Sequence, residues 1–83
     1  MDRLKTARQA INEIDKEMAE LFVRRMEASK TVGQYKLSHG LPVYDADREA
    51  EVIRRNSALV ENEDLREYYV NFLQTCMDLS KNY

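Results

Sequence analysis

Seven residues carry side chains whose type and spacing suit work on an anion: Arg8, Arg25, Lys36, Asp45, Arg48, Glu49 and Ser80. Four are cations and two are acids. Arg25 occupies an apolar place in a heptad column, Leu4, Ile11, Met18, Arg25, Val32. An unpaired guanidinium is expensive to bury. An Arg there either specifies a coiled-coil pairing or snorkels to water, or it lines a cavity that takes an anion in its planar donor fork. The adjacent column holds Arg8, Asp15, Phe22, Ser29 and Lys36. Taken singly, Arg8 and Lys36 read as solvated flank residues. The sequence has no Cys–His pair, no metal-ligand spacing and no Gly-rich phosphate loop. His39 falls in a chain break and reads as solvated. No nucleophile with a base, no metal and no cofactor is therefore expected. A cation-rich set without those parts suits an anionic small molecule whose reaction needs only positioning and electrostatic stabilisation.

Helices must position these groups. Gly and Pro are scarce, with two and one respectively, and no Asn-Gly or Asp-Gly hairpin dipeptide occurs. The apolar pattern predicts an all-α chain of three helices, one long and two shorter. The first spans roughly Asp2 to Leu37, with Ala7, Ile14, Leu21, Ala28 and Tyr35 as its second apolar column. Ser38-His39-Gly40-Leu41-Pro42 breaks it. The second runs from about Asp45 to Leu59, with Val52 and Ile53 inward. Asp45 suits an N-cap and Asp47 a first turn, which accounts for both without any ligand. Glu49 precedes Val52 and Ile53 by three and four residues, so its carboxylate heads the inward stripe. Asp45, Arg48 and Glu49 thus form a polar patch above an apolar face. Glu61 to Asp64 is a polar break, with Asn62 as N-cap of the third helix. That helix places Leu65, Tyr69, Phe72, Leu73, Cys76, Leu79, Ser80 and Tyr83 at helical spacing. Ser80 read alone is a small inward residue bonding its own backbone.

The chain is one domain of 83 residues, and so small a monomer buries only a thin core. Its lone Cys76 forms no internal disulfide and suits a reducing compartment. There is no apolar run of signal-peptide or membrane-spanning length, so a soluble, cytoplasmic protein is expected. A net charge of −2 provides no global basic field for nucleic acid. A first helix of about 35 residues would be about 50 Å long. The two shorter helices cannot cover its stripe, so an antiparallel homodimer with the long helices paired is expected. Arg8 and Arg25 stand about 25 Å apart along one helix. In an antiparallel pair centred near residue 20, Arg8 of one copy falls opposite the Arg25–Lys36 stretch of the other, making two composite basic sites.

At these residues the sequence resembles the all-helical chorismate mutases, the AroQ class. RQAINEID (Arg8 to Asp15), LFVRR (Leu21 to Arg25), VGQYK (Val32 to Lys36) and PVYDADRE (Pro42 to Glu49) match that family's pattern in order and spacing. The resemblance covers essentially the whole chain. It implies an intertwined helical homodimer with two shared sites that rearrange chorismate to prephenate, on the route to phenylalanine and tyrosine. It also implies a catalytic set of Arg8, Arg25, Lys36 and Glu49. Arg25 and the second copy's Arg8 would bind a substrate carboxylate, and Lys36 the ether oxygen and a carboxylate. Asp45 and Glu49 would hold the ring hydroxyl, Arg48 would shape the carboxylate end, and Ser80 would contact a carboxylate.

One departure stands out. The family's Gln or Glu four residues after the serine would fall one past Tyr83. Similar domains form the N-terminal part of bifunctional prephenate dehydratases or dehydrogenases. The third helix shows no stop signal before Tyr83, so residues 1–83 read as one mutase domain excised from a longer chain. Two other readings compete: an isochorismate-pyruvate lyase on the same fold, and a non-catalytic helical dimerisation or ligand-sensing module.

Overall fold

A computed structural model describes residues 2–83; Met1, the first residue of the expected domain, lies outside them. Three helices make up the described chain: α1 (Arg3–Ser38), α2 (Ala46–Ser57) and α3 (Glu63–Lys81). The fold is all-α, as the apolar pattern predicts. Each helix start is closed by a side chain that accepts from an otherwise unpaired backbone N–H. Asp2 accepts from Leu4 N–H at 3.0 Å, Asp45 from Arg48 N–H at 3.0 Å, and Asn62 from Asp64 N–H at 2.9 Å.

The end of α1 is a glycine-dependent stop. Leu41 N–H donates to the Lys36 carbonyl at 2.8 Å, and Gly40 N–H to the Leu37 carbonyl at 3.3 Å. This double closure turns the chain through a left-handed residue, here Gly40 with φ 66°. A side chain at Gly40 would be strained there whatever the surrounding space. The stop leaves Lys36 in the last turn of α1 and sends the chain through Pro42 to the start of α2. Helix α3 ends at Lys81, with Asn82 as its cap, short of Tyr83 where the sequence pattern carries it.

Helix α3 is the hub on which both other helices pack. Among the described residues, the buried apolar ones all lie on it: Leu73 and Cys76 at 6% exposure and Met77 at 7%. Val52 and Ile53 of α2 are half-buried, as their inward placement predicts. The long stripe of α1 stays open in the single chain. Leu4, Ile11, Ile14, Met18, Leu21, Val32 and Tyr35 are each between 47% and 58% exposed. Leu65, Phe72 and Leu79 of α3, inward by helical spacing, are also about half exposed. The molecule measures 59 × 25 × 16 Å, its long axis set by α1.

Since α3 holds the core, its first turn should matter to the whole fold. Asn62→Ala removes the cap and is expected to cost about 1 kcal/mol. Thermal unfolding should show a Tm lower by roughly 4–8 °C, the usual response of a domain this size. An unchanged Tm would mean that the Asn62 cap contributes nothing.

Candidate active site

The C-terminal half of α1, the start of α2 and the end of α3 enclose a cleft of about 590 Å³. That volume lies within the usual range for small-molecule sites, roughly 300–1,000 Å³. Its floor includes the apolar Val32, Val52 and Met77. Its polar wall contains Arg25, Lys36, Arg48, Glu49 and Ser80. Five of the seven residues singled out by sequence therefore line one space in a single chain.

Arg25 projects from α1 and donates to Ser80 Oγ across the cleft at 3.3 Å. Ser80 Oγ is also 2.6 Å from the Cys76 carbonyl and 3.2 Å from that of Met77. Its own proton goes back to the helix, which leaves a lone pair for Arg25. The reading of Ser80 as bonding its own backbone thus holds, and the same oxygen also steadies Arg25, a contact the sequence does not announce. Lys36 Nζ reaches the Val43 carbonyl at 3.4 Å, across the turn that Gly40 makes. Arg48 is tied along α2 to Glu51 at 2.6 Å, and Arg55 donates to the same Glu51 oxygen at 2.9 Å. Exposed pairs of this kind contribute little to stability, so Arg48 is only lightly held.

Two predicted residues stand apart. Asp45 spends its carboxylate on the N-cap of α2 and lines a smaller neighbouring hollow, which it shares with Lys36. Arg8 is exposed on the opposite half of α1, outside the cleft of its own chain. His39 is exposed, stacked on Tyr35 with ring centroids 3.9 Å apart.

The structure adds residues that sequence reasoning missed. Lys81 Nζ lies 2.8 Å from Glu49 Oε2 and 4.4 Å from the centre of the Tyr44 ring. Gln74 Nε2 approaches the other Glu49 oxygen at 3.5 Å. Glu49 is thereby held between two donors of α3, its side chain only 17% exposed. The hydrogen bond that Lys81 donates to the Glu49 carboxylate raises its ammonium above the ordinary value, so it stays charged. At the cleft's end, Tyr83 donates its hydroxyl to Glu27 Oε1 at 2.8 Å, with Lys30 Nζ 5.6 Å from the ring centre. That bond raises the Tyr83 phenol, because the carboxylate stabilises the neutral form.

Chemically the cleft offers cations, one buttressed carboxylate and an apolar floor. It can hold a dianion, fix its shape and stabilise charge that develops during reaction. The model of the family described as chorismate mutase type II matches residues 7–83. The chain belongs to the chorismate mutase type II family. Relatives bear the membership out. The T-protein of Haemophilus influenzae is 39% identical over 54 residues, 65% of this chain and 14% of that protein. The bifunctional chorismate mutase/prephenate dehydratase of Aquifex aeolicus is 29% identical over 89 residues, 98% of this chain and 25% of that protein. The chain thus spans a quarter or less of the length of these curated relatives. In fold it is similar to a chorismate mutase from Thermus thermophilus. The TM-score is 0.88 at 22% identity, covering 95% of this chain and 99% of that one.

The Tyr83 bond sets a pH dependence. Its folded pKa lies above the ordinary 10.0, so the bond's contribution is complete below pH 10 and fades as pH rises through the raised value. In an ultraviolet phenolate titration, Tyr83 should ionise later in the intact protein than in the Glu27→Gln variant. Equal titration in both would mean that the bond is not kept in solution.

Proposed function

We propose that this chain is a chorismate mutase, an isomerase that converts chorismate to prephenate for phenylalanine and tyrosine synthesis. The observation that carries this reading is the gathering of Arg25, Lys36, Arg48, Glu49 and Ser80 in one cleft of a chain from this family. The reaction is a Claisen-type sigmatropic rearrangement. One carbon–oxygen bond of the ether breaks as one carbon–carbon bond forms, within a single molecule and without proton transfer. No nucleophile, base, metal or cofactor is called for. What remains is to hold a flexible dianion in its reactive chair and to offset negative charge growing on the ether oxygen.

Each side chain has a part in that task. Arg25, steadied by Ser80, takes one carboxylate. Arg48, loosely held on its own helix, is free to turn from Glu51 toward the other carboxylate end. Lys36, held only by a long 3.4 Å bond to the Val43 carbonyl, meets the ether oxygen, where a charged donor bonds most strongly in the transition state. Glu49 accepts from the ring hydroxyl, with Asp45 behind it at the start of α2.

Arg8 enters from a second copy. The open stripe on α1 supports an antiparallel homodimer, and such pairing brings Arg8 of the second copy to the mouth of the cleft. The same reading includes a cytoplasmic location, and no nucleic-acid or membrane partner. The net charge of −2 supports the part of this reading that concerns nucleic acid; among the described residues, no helix is long and apolar enough to cross a membrane. The reading includes fusion to a prephenate dehydratase or dehydrogenase domain, and the name of the Aquifex relative supports the first of these.

Chorismate turnover to prephenate is the deciding assay. Pyruvate released from isochorismate, with no prephenate from chorismate, would instead make the protein a lyase. Binding without turnover would leave a sensing module. Lys36→Ala is expected to lower kcat by about 10²–10³-fold, some 3–4 kcal/mol, while raising KM far less. A loss shared equally between the two would contradict a transition-state role for Lys36.

Mixing chains tests the shared site. Arg8→Ala and Lys36→Ala chains, each inactive alone, should regain activity on subunit exchange. Every mixed dimer holds one site with both lesions and one with neither. No recovery after verified exchange would remove Arg8 from the site.

A further inference from the structure

Glu49 presents a difficulty for an anion-binding cleft. A carboxylate on the wall of a site for a dianion repels its ligand, and the repulsion grows as the site is shielded from water. Its two oxygens are not left free. Oε2 meets the Lys81 ammonium at 2.8 Å, and Oε1 meets the Gln74 amide at 3.5 Å. Only Lys81 brings charge to the pair. Lys81 is fixed from other sides as well: Asp78 Oδ1 lies at 3.6 Å and the Tyr44 ring face at 4.4 Å. Lys81 also lines the cleft itself, in the last turn of α3 next to Ser80.

We propose that Lys81 is a positioning residue that acts as the built-in counterion of Glu49. It neutralises the carboxylate toward an incoming dianion while leaving Glu49 able to accept a hydroxyl. Lys81 itself need not touch the ligand. Its effect passes through Glu49, and this separates it from Arg25 and Lys36, whose charges act on the ligand directly. A purely structural tie between α2 and α3 would behave differently. Its loss would lower stability and leave anion affinity unaltered. The inference rests on the anion-binding reading of the cleft but not on turnover.

The test is a double-mutant cycle on the folded protein, with Lys81→Met, Glu49→Gln and the two combined. Calorimetry would follow a non-reacting dianion, benzene-1,3-dicarboxylate, at fixed low ionic strength. With Glu49 present, Lys81→Met should weaken binding roughly tenfold, about 1.4 kcal/mol. Adding Glu49→Gln to the Lys81→Met chain should restore the binding it lost, since no carboxylate is then left to repel the probe, and the double variant should bind as the unsubstituted protein does. Lys81→Arg should bind as the unsubstituted protein does. Lys81→Gln serves in the cycle if Lys81→Met does not fold. No recovery of affinity when Glu49→Gln is added to Lys81→Met, a lowered Tm with unchanged affinity, or no binding by the unsubstituted protein would each overturn the counterion role. Chorismate turnover is measured separately. A protein that binds the probe yet does not convert chorismate loses the mutase reading and keeps this one.

Discussion

A helix of 36 residues in a chain of 83 imposes the main constraint on this molecule. At 1.5 Å per residue it is about 54 Å long, far longer than either companion. Its apolar stripe cannot be covered by its own chain. The radius of gyration is 16.2 Å, whereas a compact domain of this length would have about 12 Å. The core is consequently small, drawn from a few residues of α3, and α1 offers a long face that favours burial against a matching one. The second copy in the proposed function answers that need. It would also carry Arg8 to the site, so one pairing would both complete the core and complete the chemistry.

Polar groups on the inner face of so thin a core need partners. Here each has one within reach. Ser80 gives its proton to the backbone and its lone pair to Arg25, while Glu49 is held by Lys81 and Gln74. Among the described residues, no buried side-chain nitrogen or oxygen lacks a hydrogen-bond partner. The cleft is therefore organised before any ligand arrives, and organised groups lose little freedom on binding. Arg48 is the exception, held only by an exposed pair along its own helix.

Much of this is legible in the sequence, for local reasons. The heptad columns place α1 to within a residue at each end, and Asp45 and Asn62 cap α2 and α3 as their types suggest. Arg25 on an apolar column points to the cleft, because a guanidinium there needs a partner. What stays hidden is long-range. A Lys in a final helical turn is ordinarily solvated, and nothing near Lys81 in sequence reveals that Glu49 faces it. Met77 does not stand out because Leu73, Cys76 and Leu79 already complete a helical stripe. Leu65, Phe72 and Leu79 read as inward, yet stay half exposed in the single chain. Periodicity identifies an apolar face without saying which molecule covers it.

The positions of the helix ends have a further consequence. The cleft gathers the C-terminal turns of α1 and α3, through Lys36 and through Ser80 and Lys81, with the first turn of α2 opposite. Two helix macrodipoles thus direct their negative ends toward a space proposed to receive a dianion, and only α2 directs a positive one. The backbone by itself would disfavour the ligand. Lys36 and Lys81 sit in those two final turns, where a cation offsets the uncompensated carbonyls. Part of the positive charge that a count of side chains assigns to the ligand is already committed to the peptide groups. The field a dianion meets should be weaker than the tally of Lys and Arg suggests, which leaves room for a product of equal charge to depart.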